Sequence, residues 1–316
     1  MITFQEVSAA KERLSSYVTH TPLLRVPALD GQLGCNVYIK PENLQITGSF
    51  KIRGALNAML CLSDIQKKNG IVCCSSGNHA QGVACAAKIL GLDAVIVMPE
   101  NVNPVKLAGT KSYGATVLLA GTRSSERDDK ANALVQQEGR TLIHPYANDY
   151  VRAGQGTIAM EILQDAPDMD IIVTPVGGGG MLSGIATAAK KMKPGIRIIG
   201  TEPVGAPRYG ASRTAKKPVW LDHVDTIADG TRTDHADPEN FHMIEQLVDA
   251  LVTVTDDDIR TAMKLTVSAA KIVAEPSSSM PIAAALSKKL NVRPHDNVCF
   301  VISGGNVDPT LLKQVL

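Results

Sequence analysis

The stretch "GIVCCSSGNHAQGVACAAKILGLDAVIVMP", residues 70–99, decides the fold. "GIVCCSS" reads as a buried strand, short, apolar and bounded by glycine and serine. "NHAQGVACAAKILG" reads as a helix ending at Gly91, because glycine commonly follows the last helical residue. "DAVIVMP" is then the next strand. Two apolar strands joined through a helix form a parallel pair, since parallel pairing needs a crossover connection. The alternation continues downstream. "PVKLAGTKSYG" and "ATVLLAG" repeat the helix–strand unit, and "DIIVTPV", "MLSGIATAAKKMKPG" and "IRIIGTEP" give strand, helix, strand. "DNVCFVISGGN" adds a late strand that runs into a glycine turn. Such a pattern implies an α/β fold with parallel sheets covered on both faces. Residues 210–226, "GASRTAKKPVWLDHVDT", are the least periodic part and read as surface loop, and only a short tail is expected after the last strand.

Composition narrows the function classes. The 316 residues suffice for two lobes or one large domain, and 44% hydrophobic with 20% charged residues is ordinary for a soluble globular chain. A formal net charge of +1 and 3% aromatic residues supply neither the basic surface nor the stacking platforms of a nucleic-acid or anionic-membrane binder. No apolar run reaches the roughly 18 residues of a membrane span. The start, "MITFQEVSAAKERLSSYV", shows no apolar signal region, so the expected location is the cytoplasm. Cys35, Cys61, Cys73, Cys74, Cys85 and Cys299 match no zinc spacing and read as buried, reduced small hydrophobes.

In an open parallel sheet, ligands bind beyond the carboxyl ends of the strands. Three turns lie at such ends: Ser75 to Gly82, Val176 to Gly184, and Ser303 to Asp308. Gly177, Gly178, Gly179 and Gly180 free a run of backbone N–H groups before a helix, which makes an anion cradle. A dinucleotide site is the competing reading, helped by Glu202 after the next strand. The G-x-G-x-x-G spacing fails at Ser183, so a compact phosphate fits better than a pyrophosphate. Lys51, in "TGSFKIRG", is either a solvated charge or a buried amine. Burial drives a lysine toward its neutral form, and a neutral amine beside a phosphate cradle is what a Schiff-base cofactor requires.

Taken in order, "GSFKIRGA", "SSGNHAQG", "AGQGT", "VGGGGMLSG", "TIADG" and "ISGGNVD" resemble the serine/threonine dehydratase and serine racemase family of fold-type II pyridoxal-phosphate (PLP) enzymes, nearly end to end. The resemblance implies a tryptophan synthase β-like architecture of two lobes, each with a mostly parallel sheet flanked by helices. Residues 1–68 plus 147–316 would form the large PLP-binding domain and 69–146 the small substrate-closing domain. Lys51 would anchor the cofactor and then act as general base at the substrate Cα. Phe50 and Tyr146 would lie against the ring, with Asn78 on its phenolic oxygen and Ser303 facing its pyridine nitrogen. Gly177 to Gly180 would hold the phosphate, and Gly230 and Glu275 would complete the cofactor contacts. The backbone of Ser75, Ser76, Gly77, Asn78 and His79 would grip the substrate carboxylate. The implied reaction is β-elimination on serine, threonine or β-hydroxyaspartate, giving a 2-oxo acid and ammonia, and the expected assembly is a homodimer.

Ser76 is either a second base on the opposite face, as in the racemase branch, or a turn cap. Arg127, in "SSERDD", either pairs with a second substrate carboxylate or is a solvated helix charge. Tyr146 stands where the animal racemases keep asparagine, which favours a dehydratase with side racemase activity. The alternatives are a racemase as such, a β-replacement enzyme, an amino-acid-binding protein without catalysis and an NAD-binding oxidoreductase. Racemase relatives bind a divalent cation through the glutamate of an "EP" motif, a backbone carbonyl and an aspartate. Here Glu202 and Pro203 are present, Ala206 offers the carbonyl, and Arg208 replaces the aspartate. No metal site is therefore assigned and a divalent metal stays open: either Arg208 pairs with Glu202 in the ion's place, or Arg208 points to solvent and Glu202 still binds an ion with water and more distant carboxylates.

Overall fold

The computed structural model describes residues 1–102 and 104–316, and their strands form two sheets. The larger has the order β1-β2-β10-β7-β8-β9. These strands are β1 (Leu24–Arg25), β2 (Asn36–Pro41), β7 (Ile171–Pro175), β8 (Arg197–Pro203), β9 (Ala250–Val254) and β10 (Asn297–Ile302). All pair in parallel except β1, which runs against β2. The smaller sheet, β5-β4-β3-β6, is wholly parallel. It comprises β3 (Ile71–Cys74), β4 (Ala94–Met98), β5 (Thr116–Leu119) and β6 (Thr141–Leu142). The unit read from residues 70–99 is β3, the helix Asn78–Leu90 and β4, and Gly91 ends the helix in the left-handed region at φ 65°.

Strand side chains alternate between faces, and here both faces are apolar. Val298, Phe300 and Ile302 of β10 join Ile171 and Val173 of β7 in one cluster. Cys299 and Val301 join Ile172 in the cluster on the other face. Helices must therefore cover both sides, which is why these strands lack a polar alternation. In the smaller sheet, Ile71, Cys73 and Ile96 pack with Ile52, Leu56 and Met59 of the helix Lys51–Leu60. That helix approaches the helix Asp149–Asp165 through glycine: a Cβ on Gly154 would lie 2.6 Å from the Arg53 carbonyl oxygen. A Cβ on Gly184 would lie 2.2 Å from the Arg152 carbonyl oxygen, which brings the helix Gly180–Met192 into the same stack. The "AGQGT" segment thus serves helix packing.

A buried ionic cluster fastens the Lys51 helix from below. Arg53 Nε donates to Glu42 Oε2 at 2.7 Å and Arg53 Nη1 to Glu161 Oε1 at 2.6 Å, while Lys40 Nζ reaches Glu161 Oε2 at 2.6 Å. Two cations face two carboxylates, so the charges balance.

Two expectations need correction. Residues 210–215 are not loop but belong to the helix Arg208–Ala215. Only Arg208, Tyr209 and Ser212 of that helix are buried, so no apolar period marked it. Cys61 and Cys74 are half-buried rather than buried, and all six thiols are free. No described helix is long and apolar enough to cross a membrane.

Candidate active site

The carboxyl ends of β3, β7 and β10 open onto a cleft of about 1120 Å³. Phe50, Lys51, Ser75 to His79, Arg127, Tyr146, Gly177 to Gly180, Gly230, Glu275 and Ser303 all line it. Residues from both sheets therefore meet on one cavity, as expected at strand ends of this kind.

Lys51 is the first residue of its helix. Its Nζ donates to the Pro145 carbonyl at 3.0 Å and lies 5.1 Å from the centre of the Phe50 ring. Burial pulls the amine down to about 8, with Cys73 and Glu275 opposing. Lys51 is half-buried on the cleft wall, so it is neither a freely solvated charge nor an amine sealed in the core.

The glycine loop follows β7 and enters the helix Gly180–Met192, with Gly179 at φ +87°. The Gly177 carbonyl accepts from Arg208 Nη1 at 2.8 Å. The Gly178 carbonyl accepts from Tyr209 Oη and from Asn240 Nδ2, each at 2.8 Å. In a trans peptide the carbonyl and the following N–H point opposite ways, so the N–H groups of Gly178 and Gly179 face away from these partners. A Cβ on Gly178 would lie 2.1 Å from Tyr146 Cδ1, and one on Gly179 would lie 2.4 Å from Tyr209 Oη. Side chains are excluded here, and a bare N–H cradle is left. A phosphate fits that chemistry.

Around the cradle, Asn78 Nδ2 donates to Glu275 Oε1 at 2.7 Å, and Ser303 Oγ lies 2.8 Å from Ser278 Oγ. Burial and then Asp229 push the Glu275 carboxyl up to about 7, with the Asn78 donor opposing. His79 Nε2 meets the Ile143 carbonyl at 2.8 Å, which places its proton on Nε2. Burial and then Lys51 bring His79 down to about 3, so the ring is neutral. Arg127 lies in the first turn of the helix Ser124–Glu138, on the cleft wall, with Nε 3.4 Å from the Arg123 carbonyl.

His144 was missed from sequence. It lines the cleft, and its Nδ1 accepts the Ala147 N–H at 2.8 Å, which leaves Nε2–H as a donor. Burial brings it down to about 4, so it is neutral as well. Its only sequence signal is proximity to Tyr146.

The expected Arg208–Glu202 pair is not formed, and Arg208 does not point to solvent. Arg208 is fully buried, and its guanidinium donates to the carbonyls of Val176, Gly177 and Ala206. Glu202 instead accepts the Tyr209 and Gly210 N–H groups at 2.9 and 2.8 Å. The first turn of a helix has free N–H groups that attract a carboxylate, which explains the exchange of partners. The set fits a divalent ion poorly: the Ala206 carbonyl accepts from the Arg208 cation, and both Glu202 oxygens accept backbone N–H groups. Among the described residues no three His, Cys, Asp or Glu side chains gather as a metal site.

Residues 14–304 match the family model described as pyridoxal-phosphate dependent enzyme. A catabolic L-threonine dehydratase of Staphylococcus aureus (strain USA300) is 41% identical, with 100% of this chain and 92% of that one covered. Maize serine racemase superposes with a TM-score of 0.95 at 36% identity, covering 99% of this chain and 96% of that one. The threonine deaminase of T.th. superposes with a TM-score of 0.92 at 39% identity, covering 97% and 99%.

Proposed function

On the premise that the chain belongs to the pyridoxal-phosphate dependent enzymes, we propose that it is a dehydratase, an ammonia-lyase acting on L-serine, L-threonine or β-hydroxyaspartate. The observation that carries this reading is Lys51, an amine drawn toward neutrality in a cleft that also holds a glycine N–H cradle. The relatives named for threonine dehydration and deamination favour elimination over racemisation as the main activity.

Bound PLP supplies a conjugated ring that accepts electrons from the substrate Cα. Lys51 Nζ would hold the cofactor and then take the Cα proton, a role suited to an amine that burial lowers to about 8. Backbone N–H groups of Ser75 to His79, at the start of the helix Asn78–Leu90, bind the substrate carboxylate. Gly177 to Gly180 would hold the phosphate, Asn78 would donate to the phenolic oxygen, and Ser303 would serve the pyridine nitrogen. Phe50 and Tyr146 would lie against the ring, and Gly230 and Glu275 would complete the cofactor site. Loss of the Cα proton and the β-hydroxyl as water leaves an enamine. Its hydrolysis consumes one water and releases the 2-oxo acid and ammonia. Ser76 stands on the other face as a second base, which gives a side racemase activity. Residues 69–146 close over the substrate held by 1–68 plus 147–316, and the working form is a cytoplasmic homodimer.

Arg127 selects a second carboxylate. Such a charge-assisted pair contributes about 1.5–3 kcal/mol, or roughly ten- to a hundredfold. The test is steady-state ammonia release from serine, threonine and β-hydroxyaspartate, each in both stereochemical forms. Arg127→Ala should lower kcat/KM for hydroxyaspartate by that factor and for threonine far less. An unchanged ratio would return Arg127 to the helix surface, and no ammonia from any substrate would exclude a dehydratase.

A further inference from the structure

Three segments far apart in sequence meet at one amide. Asn306, in the turn after β10, donates from Nδ2 to the Thr47 carbonyl at 2.9 Å and to Asn78 Oδ1 at 2.9 Å. Both of its amide hydrogens are then used. Its own Oδ1 lies against Gly48, where a Cβ would come within 2.5 Å and where φ is +68°. Glycine is required at 48, and Asn306 has no room to lengthen. With Oδ1 occupied, Asn78 directs Nδ2 to Glu275 Oε1 at 2.7 Å. The reversed Asn78 amide would set oxygen against the Glu275 carboxyl and nitrogen against the Asn306 nitrogen, so the network allows one orientation. One N–H of Asn78 goes to Glu275, and the second remains for the cleft that Asn78 lines. We propose that Asn306 is a positioning residue: it fixes the Asn78 amide so that this side chain presents a donor, and not an acceptor, to the cofactor's phenolic oxygen. This rests on the assignment of Asn78 to that oxygen under the proposed function.

The test uses the holoenzyme and reads the absorbance of the bound cofactor across pH, together with its dissociation constant. Asn306→Asp keeps the side-chain size but replaces the donor with an acceptor, so Asn78 turns Nδ2 toward it and leaves Oδ1 toward the cofactor. Asn306→Ser removes the bridge without adding charge, and carries the same test where the aspartate variant does not fold. The expected result is a spectral shift in the direction of Asn78→Ala, with a cofactor dissociation constant raised about tenfold. In the double variant Asn78→Ala/Asn306→Asp the spectrum should match Asn78→Ala alone. A parent-like spectrum in Asn78→Ala overturns the phenolic-oxygen contact and the role of Asn306 with it. A shift in Asn78→Ala with none in either Asn306 variant, or additive shifts in the double variant, overturns the role of Asn306 alone.

Discussion

Replacing Arg53 with methionine should cost more than an ordinary core substitution. The side chain is fully buried and contacts both Glu42 and Glu161 through paired hydrogen bonds of 2.6–2.8 Å. Arg53→Met leaves Lys40 as the one cation against two buried carboxylates, and breaking such a network on one side costs about 3–5 kcal/mol. At roughly 2 °C per kcal/mol for a chain of this size, Tm falls by about 6–10 °C. The pH dependence separates this cause from a packing defect. In the parent, burial raises the Glu161 carboxyl, but Arg53 and Lys40 outweigh it and hold the carboxyl below its ordinary value of 4.5. A depressed carboxyl stabilises the fold above its unfolded value, and that stability is lost as pH falls through the folded one. Without Arg53 the effect of burial gains the upper hand, and the folded variant takes up a proton that the unfolded chain does not hold. The deficit relative to the parent is therefore largest at pH 8 and shrinks toward pH 5. Urea unfolding followed by circular dichroism at both pH values measures it. A deficit under about 1 kcal/mol at pH 8, or an equal deficit at both, would refute the charge argument.

Three further outcomes are expected. Chelation should leave activity and thermal stability unchanged, because Arg208 already occupies the Ala206 carbonyl; a large loss restored by magnesium would contradict this. Glu275 titrates near 7 against 4.5 in the unfolded chain, so the fold loses stability as pH rises between these values, by about 3 kcal/mol in all. Glu275→Gln, which cannot ionise, should make the apoprotein more stable than the parent at pH 8 by up to about that amount and similar near pH 4.5, and parent-like stability at pH 8 would refute it. Ser76→Ala should abolish D-serine formation and elimination from D-serine while elimination from L-serine survives; equal losses would make Ser76 a loop residue only.

The parallel sheets were legible because their strands are continuous apolar runs separated by helices, and the three glycine turns because each follows such a run. Less of the support behind the site could be read. Glu161 sits more than a hundred positions from its partner Arg53, and a carboxylate on a helix carries no mark of burial in the sequence alone. Arg208 was placed by analogy with a metal ligand, whereas its partners are backbone carbonyls, which no side-chain pattern reveals. Asn306 stood inside a quoted turn, yet its link to Asn78 depends on two strands lying in different sheets. Local periodicity and turn chemistry show in sequence, and long-range polar pairing does not.

The central claim is that Lys51 anchors the cofactor and does the chemistry. The most direct measurement is borohydride reduction of the protein loaded with PLP, followed by peptide mapping, alongside ammonia release by Lys51→Ala. The expected result is modification at Lys51, with neither cofactor attachment nor ammonia release in the variant. A modified peptide from elsewhere in the chain, or normal turnover by Lys51→Ala, would contradict it.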